Sequence, residues 1–335
     1  MGNSLNQPPT KGLENYRKLS VAPMMDWTDR HCRFFHRLFS PHALLYTEMV
    51  TTGALLHGNS HRFLDFDICE QPLALQLGGS NPDELAQCAK MAEQAGYQEV
   101  NLNIGCPSDR VQNGKIGACL MAEPKLVAQC VTEMNEKISI PVTIKTRIGI
   151  DDFDSEEFLF NFVETIAQAG CKVFIIHARK AILKGLSPKE NRTIPPLNYE
   201  RAYLLKKTFP ALTIVLNGGV KTASDVKTHW QHVDGVMIGR EAYHNPYCLM
   251  EIEQQCFNRD VVDRVDILKT YLPYVEQQLV LGVPLQRLTR HLLGLFAGQP
   301  NGKYWRRFLS SEHVRKKGAG PEVFLQALDS MRIDH

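Results

Sequence analysis

Eight short, β-branched-rich runs recur along the first three-quarters of this chain, and that rhythm limits its fold more than any other feature. They lie at residues 19–24, 44–49, 73–77, 100–104, 142–148, 173–178, 213–217 and 236–239. Amphipathic helical segments separate most of them. Residues 81–95 open on a capping Asn81 followed by Pro82, and 155–169 open on a capping Ser155 with Glu near the first turn. A further segment, 222–231, follows the glycine pair Gly218-Gly219. Eight strand–helix alternations joined by right-handed crossovers predict an α/β fold, a (β/α)8 TIM barrel. The competing doubly wound sheet carries G-x-G-x-x-G after its first strand; here Val21-Ala22-Pro23-Met24-Met25 stands instead.

After Pro246 the strand-like runs stop. Residues 248–257, 263–281, 285–295 and 321–333 read as helices punctuated by Gly and Pro. The expected division is a flexible tail over 1–15, a barrel domain over 16–246 and an all-helical C-terminal domain over 247–335. No apolar run is long enough to span a bilayer, and the polar start lacks the parts of a signal peptide. The nine cysteines are odd in number, scattered, and never form C-x-x-C. That argues against a disulfide framework or a metal site and for a reducing cytoplasm. Net charge is only +2, yet basic residues gather late, at Lys303, Arg306, Arg307, Arg315, Lys316 and Lys317, interleaved with Tyr304, Trp305 and Phe308. Such a cluster suits backbone and stacking contacts with folded RNA. Equally, an amphipathic helix would bury those aromatics and leave the arginines in solvent.

In a barrel, residues just past each strand's carboxyl end face one site. Those positions hold Pro23-Met24-Met25, Gln76, Asn103 to Cys106, Lys145-Thr146-Arg147, His177-Ala178-Arg179, Asn217-Gly218-Gly219 and Gly239-Arg240. Polar groups in strands this apolar are expensive unless something satisfies them. The set suits a phosphorylated, planar, electron-accepting cofactor. Asn217-Gly218-Gly219 and Gly239-Arg240 make a phosphate pocket late in the barrel. Gln76 offers an amide to a heterocycle edge, and Lys145 places positive charge where a reduced flavin becomes anionic. Pro23-Met24-Met25 adds backbone amides and a soft wall. Cys106 could then protonate one carbon of a C=C bond whose neighbour receives hydride, acting as a general acid in its thiol form. Cys119, in the next Gly-bearing turn, reads as packing or loop structure.

These same residues resemble the flavin-dependent tRNA-dihydrouridine synthases over nearly the full length. The carriers are A-P-M at 22–24, Gln76, N-x-G-C-P at 103–107, K-T-R at 145–147, H-A-R at 177–179, N-G-G at 217–219 and G-R at 239–240. GCPSDRVQNGKIGACLM at 105–121, SPKENRT at 187–193 and RHLLGLFAGQPNGKYWRR at 290–307 are similar to the bacterial branch acting on uridines 20 and 20a of the D-loop. The resemblance implies that NADPH reduces bound FMN, that hydride passes to C6 of uracil, and that Cys106 protonates C5. It carries FMN contacts to Pro23, Met24, Met25, Gln76, Lys145, His177, Asn217, Gly218, Gly219, Gly239 and Arg240. It carries tRNA contacts to Asn103, Lys189, Arg192, Lys303 and Arg306; the family pattern has Arg where this chain has Lys303, which keeps the charge but not the planar fork. The implied protein is a monomer with tRNA as its partner, and the target uracil must leave its stack. A flavin barrel acting on a free pyrimidine, like the dihydroorotate dehydrogenases, shares the hydride chemistry but has no need of the basic helical appendix. A non-catalytic tRNA-binding protein would have no use for Gln76, Lys145 and Cys106 together.

Overall fold

A computed structural model of the chain describes residues 13–108, 114–316 and 318–331. Residues 1–12 of the expected tail, 109–113 behind Cys106, and Lys317 lie outside the described residues. The strands are β1 (Leu19–Val21), β2 (Leu45–Thr51), β3 (Leu73–Gly78), β4 (Glu99–Ile104), β5 (Val142–Arg147), β6 (Val173–His177), β7 (Thr213–Asn217) and β8 (Gly235–Ile238). All pair in parallel, in the order β1-β8-β7-β6-β5-β4-β3-β2. A parallel bridge between Ser20 and Leu44 closes the ring, with Val21 N–H donating to Leu44 O and Leu44 N–H to Leu19 O, both at 3.0 Å. The expected (β/α)8 barrel is the fold.

Local chemistry starts the helices where the sequence suggests. Asn81 caps Pro82–Gln94 by accepting from Glu84 N–H, and Ser155 caps Glu156–Gln168 by accepting from Phe158 N–H. Thr222 and Asp225 form a reciprocal capping box at the start of Ala223–His229. Glu156–Gln168 buries Leu159, Phe162, Val163 and Ile166 toward the barrel; each such side chain contributes roughly 1.5–3 kcal/mol by leaving water.

Because side chains alternate along a strand, every second residue points into the barrel. Ala22, Leu44, Tyr46, Ala74, Val173, Ile175, Val215 and Met237 form this inner apolar cluster, separate from the larger shell between strands and helices. The 3₁₀ segment Leu13–Lys18 runs into β1 and brings Arg17 to the barrel floor, where its Nη2 lies 2.7 Å from Glu99 Oε2. Residues 13–15, expected to be tail, are therefore structured.

Tyr247–Phe257 packs on Ala223–His229 and Arg30–Phe39, and its Glu253 carboxylate pairs with His42 at 2.7 Å. By packing, this helix belongs to the barrel's outer ring, and the purely helical appendage begins at Arg264–Val280. The expected helix at 285–295 is helical only over Leu285–Thr289, with turns beyond. Gly302–Leu309 is a helix, as the amphipathic alternative for the basic and aromatic cluster has it, and lies outside the four helical segments expected in this region. No helix among the described residues is long and apolar enough to cross a membrane.

Candidate active site

Cys106 sits half-exposed just past β4, and three separate elements hold its backbone. Asn103 folds back so that its Oδ1 accepts from Gly105 N–H at 3.0 Å and Cys106 N–H at 2.9 Å. Arg147, at the end of β5, donates from Nε to Gly105 O at 2.8 Å and from Nη1 to Lys180 O and Asn191 O at 3.0 and 3.1 Å. Ala118 N–H closes on Cys106 O at 2.9 Å. With the backbone held, only Sγ of Cys106 is left to rotate about χ1. Cys119 turns its thiol to Ile116 O at 3.3 Å and lies partly buried, so it braces the following turn.

Beside Cys106 stands a group of cations. Lys145 and Arg147 lie within its electrostatic reach, as does Arg192. Burial, with the Arg147 cation adding to it, lowers the Lys145 ammonium to about 7. Burial and then Arg147, Lys145, Arg179 and Arg240 push His177 well below the ordinary histidine value, so its imidazole is neutral. The largest charge effects on His177 all come from basic groups. Lys145 Nζ donates to Asn217 Oδ1 at 3.1 Å, and Asn217 Nδ2 donates to Met237 O at 2.8 Å, which sets the direction of that amide. Gly218 and Gly219 have φ of 115° and 78°. A Cβ on Gly218 would come within 2.9 Å of the His177 ring, and one on Gly219 within 2.4 Å of Tyr199 Oη. Only glycine fits either position, because His177, Leu197 and Tyr199 already occupy the space a side chain would need.

The remaining expected positions need sorting. In the β1 turn, Met24 N–H is already taken by Thr28 Oγ1 at 2.9 Å, and Pro23 has no N–H. The expected backbone donors therefore shrink to Met25, whose side chain is exposed. Gln76 donates from Nε2 to Asn101 Oδ1 at 2.8 Å and accepts from Asn103 Nδ2 at 2.9 Å, which fixes the amide's orientation and leaves one N–H and one lone pair. Asn103 likewise keeps one N–H. Arg240 and Arg192 are adjacent, Arg240 Nη2 donating to Arg192 O at 3.0 Å, so the phosphate end of the site and the loop bearing Lys189 touch. Lys189, Arg192, Lys303 and Arg306 are all exposed.

The stacking role for Trp305 is corrected. Trp305 is fully buried, donates from Nε1 to Leu292 O at 2.7 Å and packs edge-on against Phe296, while Lys303, Arg306 and Arg307 face solvent. The period of this helix puts Trp305 and Leu309 on its inner face, four residues apart. Phe308 is partly buried and stacks on His313 with centroids 4.7 Å apart. The basic helix is nonetheless tied to the barrel mouth. His291, next to the Leu292 that receives Trp305, lies 3.0 Å from Asp29, the N-cap of Arg30–Phe39. Burial alone would raise the Asp29 carboxyl, but the His291 contact brings it down to about 2. Trp27 stacks on Tyr243 with centroids 4.5 Å apart, closing β1 and β8 turns together.

Arg147 has no role in the expected site although it stands in K-T-R; the signal is a cation within a strand that is otherwise largely apolar. Glu48 is likewise absent from the expected site; an irregularity in β2 between Tyr46 and Met49 turns it toward the Asp26 N–H at the mouth. Burial pushes the Glu48 carboxyl up.

With this geometry in place, comparisons with known proteins are specific. The sequence profile of the family described as Dihydrouridine synthase (Dus) matches residues 20–331. The chain is 60% identical over 314 residues to the tRNA-dihydrouridine(20/20a) synthase of Vibrio cholerae, covering 93% of this chain and 95% of that protein. It is 58% identical over 324 residues to the protein of that name from Yersinia pestis, covering 96% and 93%. To that of Escherichia coli it is 57% identical over 314 residues, covering 93% and 90%. A solved 2-naphthoyl-CoA reductase complex superposes with a TM-score of 0.54 at 12% identity, over 73% of this chain and 51% of that one, which speaks to the fold alone. Fold and relatives together define a barrel oxidoreductase. Within that class, the chain belongs to the dihydrouridine synthase family.

Proposed function

We propose that this protein reduces the C5=C6 bond of uridine to 5,6-dihydrouridine in the tRNA D-loop, at positions 20 and 20a, using FMN and NADPH. The observation that carries the reading is a thiol on a rigid loop beside a cluster of basic groups, in a chain of this family. The residues fit FMN. Arg147, Arg179 and Arg240 act as cations on a neutral His177 with Lys145 beside them, a charge that suits a phosphate, and the positive φ of Gly218 and Gly219 gives the loop a turn that side chains would not permit. Arg240 with Gly218, Gly219 and Gly239 would hold that phosphate. Lys145, Gln76 and Met25 would face the ring, with Pro23 and Met24 as its wall and Asn217 keeping Lys145 in place.

When bound, FMN supplies hydride to uracil C6 after reduction by NADPH. The chain's own part is the proton. Cys106 Sγ–H holds it, and the fixed Cys106 backbone limits where it can be delivered. Asn103, Lys189 and Arg192 near the mouth, and Lys303 and Arg306 on the appendage, would bind tRNA as a monomer's single RNA surface in the cytoplasm.

The test is Cys106→Ala. FMN should stay bound and be reduced by NADPH as before, while dihydrouridine formation falls about 10²–10⁴-fold, the usual worth of a general acid. Product formed at the wild-type rate in single turnover would overturn the role. Activity on free UMP with none on tRNA would favour the free-pyrimidine reading, and a purified protein that takes up no flavin would favour the non-catalytic one.

A further inference from the structure

A column of polar side chains runs up the inside of the barrel, from its floor to Cys106. Glu99 lies fully buried at the bottom. Its carboxylate accepts from Arg17 Nε and Nη2 at 3.2 and 2.7 Å, from Tyr46 Oη at 2.7 Å and from Thr143 Oγ1 at 2.7 Å. Thr143 Oγ1 accepts from Asn101 Nδ2 at 2.9 Å. Asn101 Oδ1 accepts from Gln76 Nε2 at 2.8 Å, and Gln76 Oε1 accepts from Asn103 Nδ2 at 2.9 Å. Asn103 Oδ1 finally accepts from the N–H groups of Gly105 and Cys106.

Every donor in this column points toward the floor, and both ends demand that direction. A carboxylate only accepts, so the Thr143 hydroxyl must give its proton downward and receive from Asn101. A backbone N–H only donates, so Asn103 must present oxygen to the Cys106 loop and its NH₂ to Gln76. A carboxamide is nearly symmetric in shape, and packing alone does not choose between its two orientations. Here the choice is made for three amides at once. Glu99, Asn101 and Asn103 alternate on β4, so at about 3.3 Å per residue the column spans about 13 Å. Bonds aligned head to tail in a buried column reinforce one another.

We propose that Glu99 is a positioning residue for the active site, acting through Thr143 and Asn101. It sets the direction of the Gln76 and Asn103 amides and thereby holds Cys106 in register. This rests on the reading of Gln76 as a cofactor contact. In this arrangement Asn103 offers the site an N–H, its oxygen being filled by two backbone donors, while Gln76 offers an N–H and one remaining lone pair on Oε1.

Thr143→Val tests it, because it removes the relay hydroxyl, keeps the shape and leaves the Arg17–Glu99 pair intact; Thr143→Ser keeps the hydroxyl. Two readouts are taken on flavin-free protein: the Kd for added FMN, and the alkylation rate of Cys106 by iodoacetamide, mapped by mass spectrometry. Buried Cys88, Cys130 and Cys171 serve as internal controls. Thr143→Val should weaken FMN binding about tenfold, the worth of one well-placed hydrogen bond, and speed Cys106 alkylation at least threefold. The three control thiols should not change, and Thr143→Ser should restore both readouts. Unchanged FMN affinity and Cys106 reactivity in Thr143→Val would overturn the proposal, as would control thiols accelerating in parallel with Cys106. Should Thr143→Val not fold, Glu99→Gln, which can reverse the first bond, must show the same pair of effects. If the wild type itself takes up no FMN, the cofactor reading fails instead, and the alkylation arm still decides the column.

Discussion

Lys145→Met should make the flavin-free protein more stable while removing its ability to hold the cofactor. Lys145 is lowered from 10.5 to about 7, chiefly by burial. At about 1.4 kcal/mol per unit, that displacement means that keeping Lys145 in the folded chain at pH 7 costs roughly 5 kcal/mol at most. The side chain sits at the barrel mouth, where water and salt reduce the penalty, so about half is a fairer figure. Losing the 3.1 Å bond to Asn217 Oδ1 subtracts about 1 kcal/mol. The variant should therefore gain about 1–2 kcal/mol at pH 7. The pH dependence carries a sign. Between about 7 and 10.5 the unfolded chain binds the proton that the folded chain has lost, so wild-type stability climbs with pH across that window. Below about 7 both states are protonated and the full penalty is present. The advantage of Lys145→Met should be largest at pH 7 and below and shrink toward pH 10. Urea unfolding of both flavin-free proteins at pH 6, 7.5 and 9 measures it. A variant less stable at pH 7, or a difference that ignores pH, would refute the reasoning.

Arg147→Lys keeps a cation but cannot reach the three carbonyls of Gly105, Lys180 and Asn191 together. It should lose about 2–3 kcal/mol of stability, and a wild-type urea midpoint would show that the brace is illusory. Changing Lys303 and Arg306 together to Ala should flatten the dependence of log Kd for tRNA on log salt by about 1.5, since each phosphate contact adds roughly 0.7–0.9; a slope identical to wild type removes them from the RNA surface. Acid should destabilise the fold early. Burial lowers His31 to about 4 and His36 to about 3, so the unfolded chain binds more protons below about 6.5 and stability falls as pH drops through that window. Denaturant midpoints that stay level from pH 7 to 5 would contradict this.

Much of the barrel is legible in the sequence because the two periods, 2 and 3.6, alternate cleanly and the helix starts carry their own caps. β7 is found to the residue, β1 ends three residues early, and the other strands differ by a residue or two at their ends. The appendage is less legible. Gly302–Leu309 begins at Asn301, whose φ is 59°, without a side-chain cap bond, so no start signal marks it. Trp305 misleads for a related reason: aromatic and basic residues interleaved at helical spacing describe an RNA-facing surface and a buried seam equally well. Tertiary packing against Leu292 and Phe296 decides it. In β4 the apolar half of E-V-N-L-N-I announces a strand, but Glu99, Asn101 and Asn103 are the half that builds the site. Their meaning depends on Thr143 and Gln76 standing opposite, which is a matter of register between strands.

That register also explains why the site is positive. Asn103 pairs with Lys145, Arg147 with His177, and His177 with Asn217 across β4 to β7. In a parallel sheet, register partners on neighbouring strands point to the same face. The sequence puts an acid at the floor layer, where Glu99 meets Arg17, and cations at the mouth layer, where Lys145, Arg147, Arg179 and Arg240 surround His177. The floor acid is thus paired within the chain, whereas the largest charge effects on His177 at the mouth all come from basic groups. Removing one of those cations at a residue with no cofactor contact assigned, as in Arg179→Gln, should weaken FMN binding and lessen its salt dependence. FMN affinity equal to wild type in that variant would mean that the positive charge at the mouth is not what draws the cofactor in.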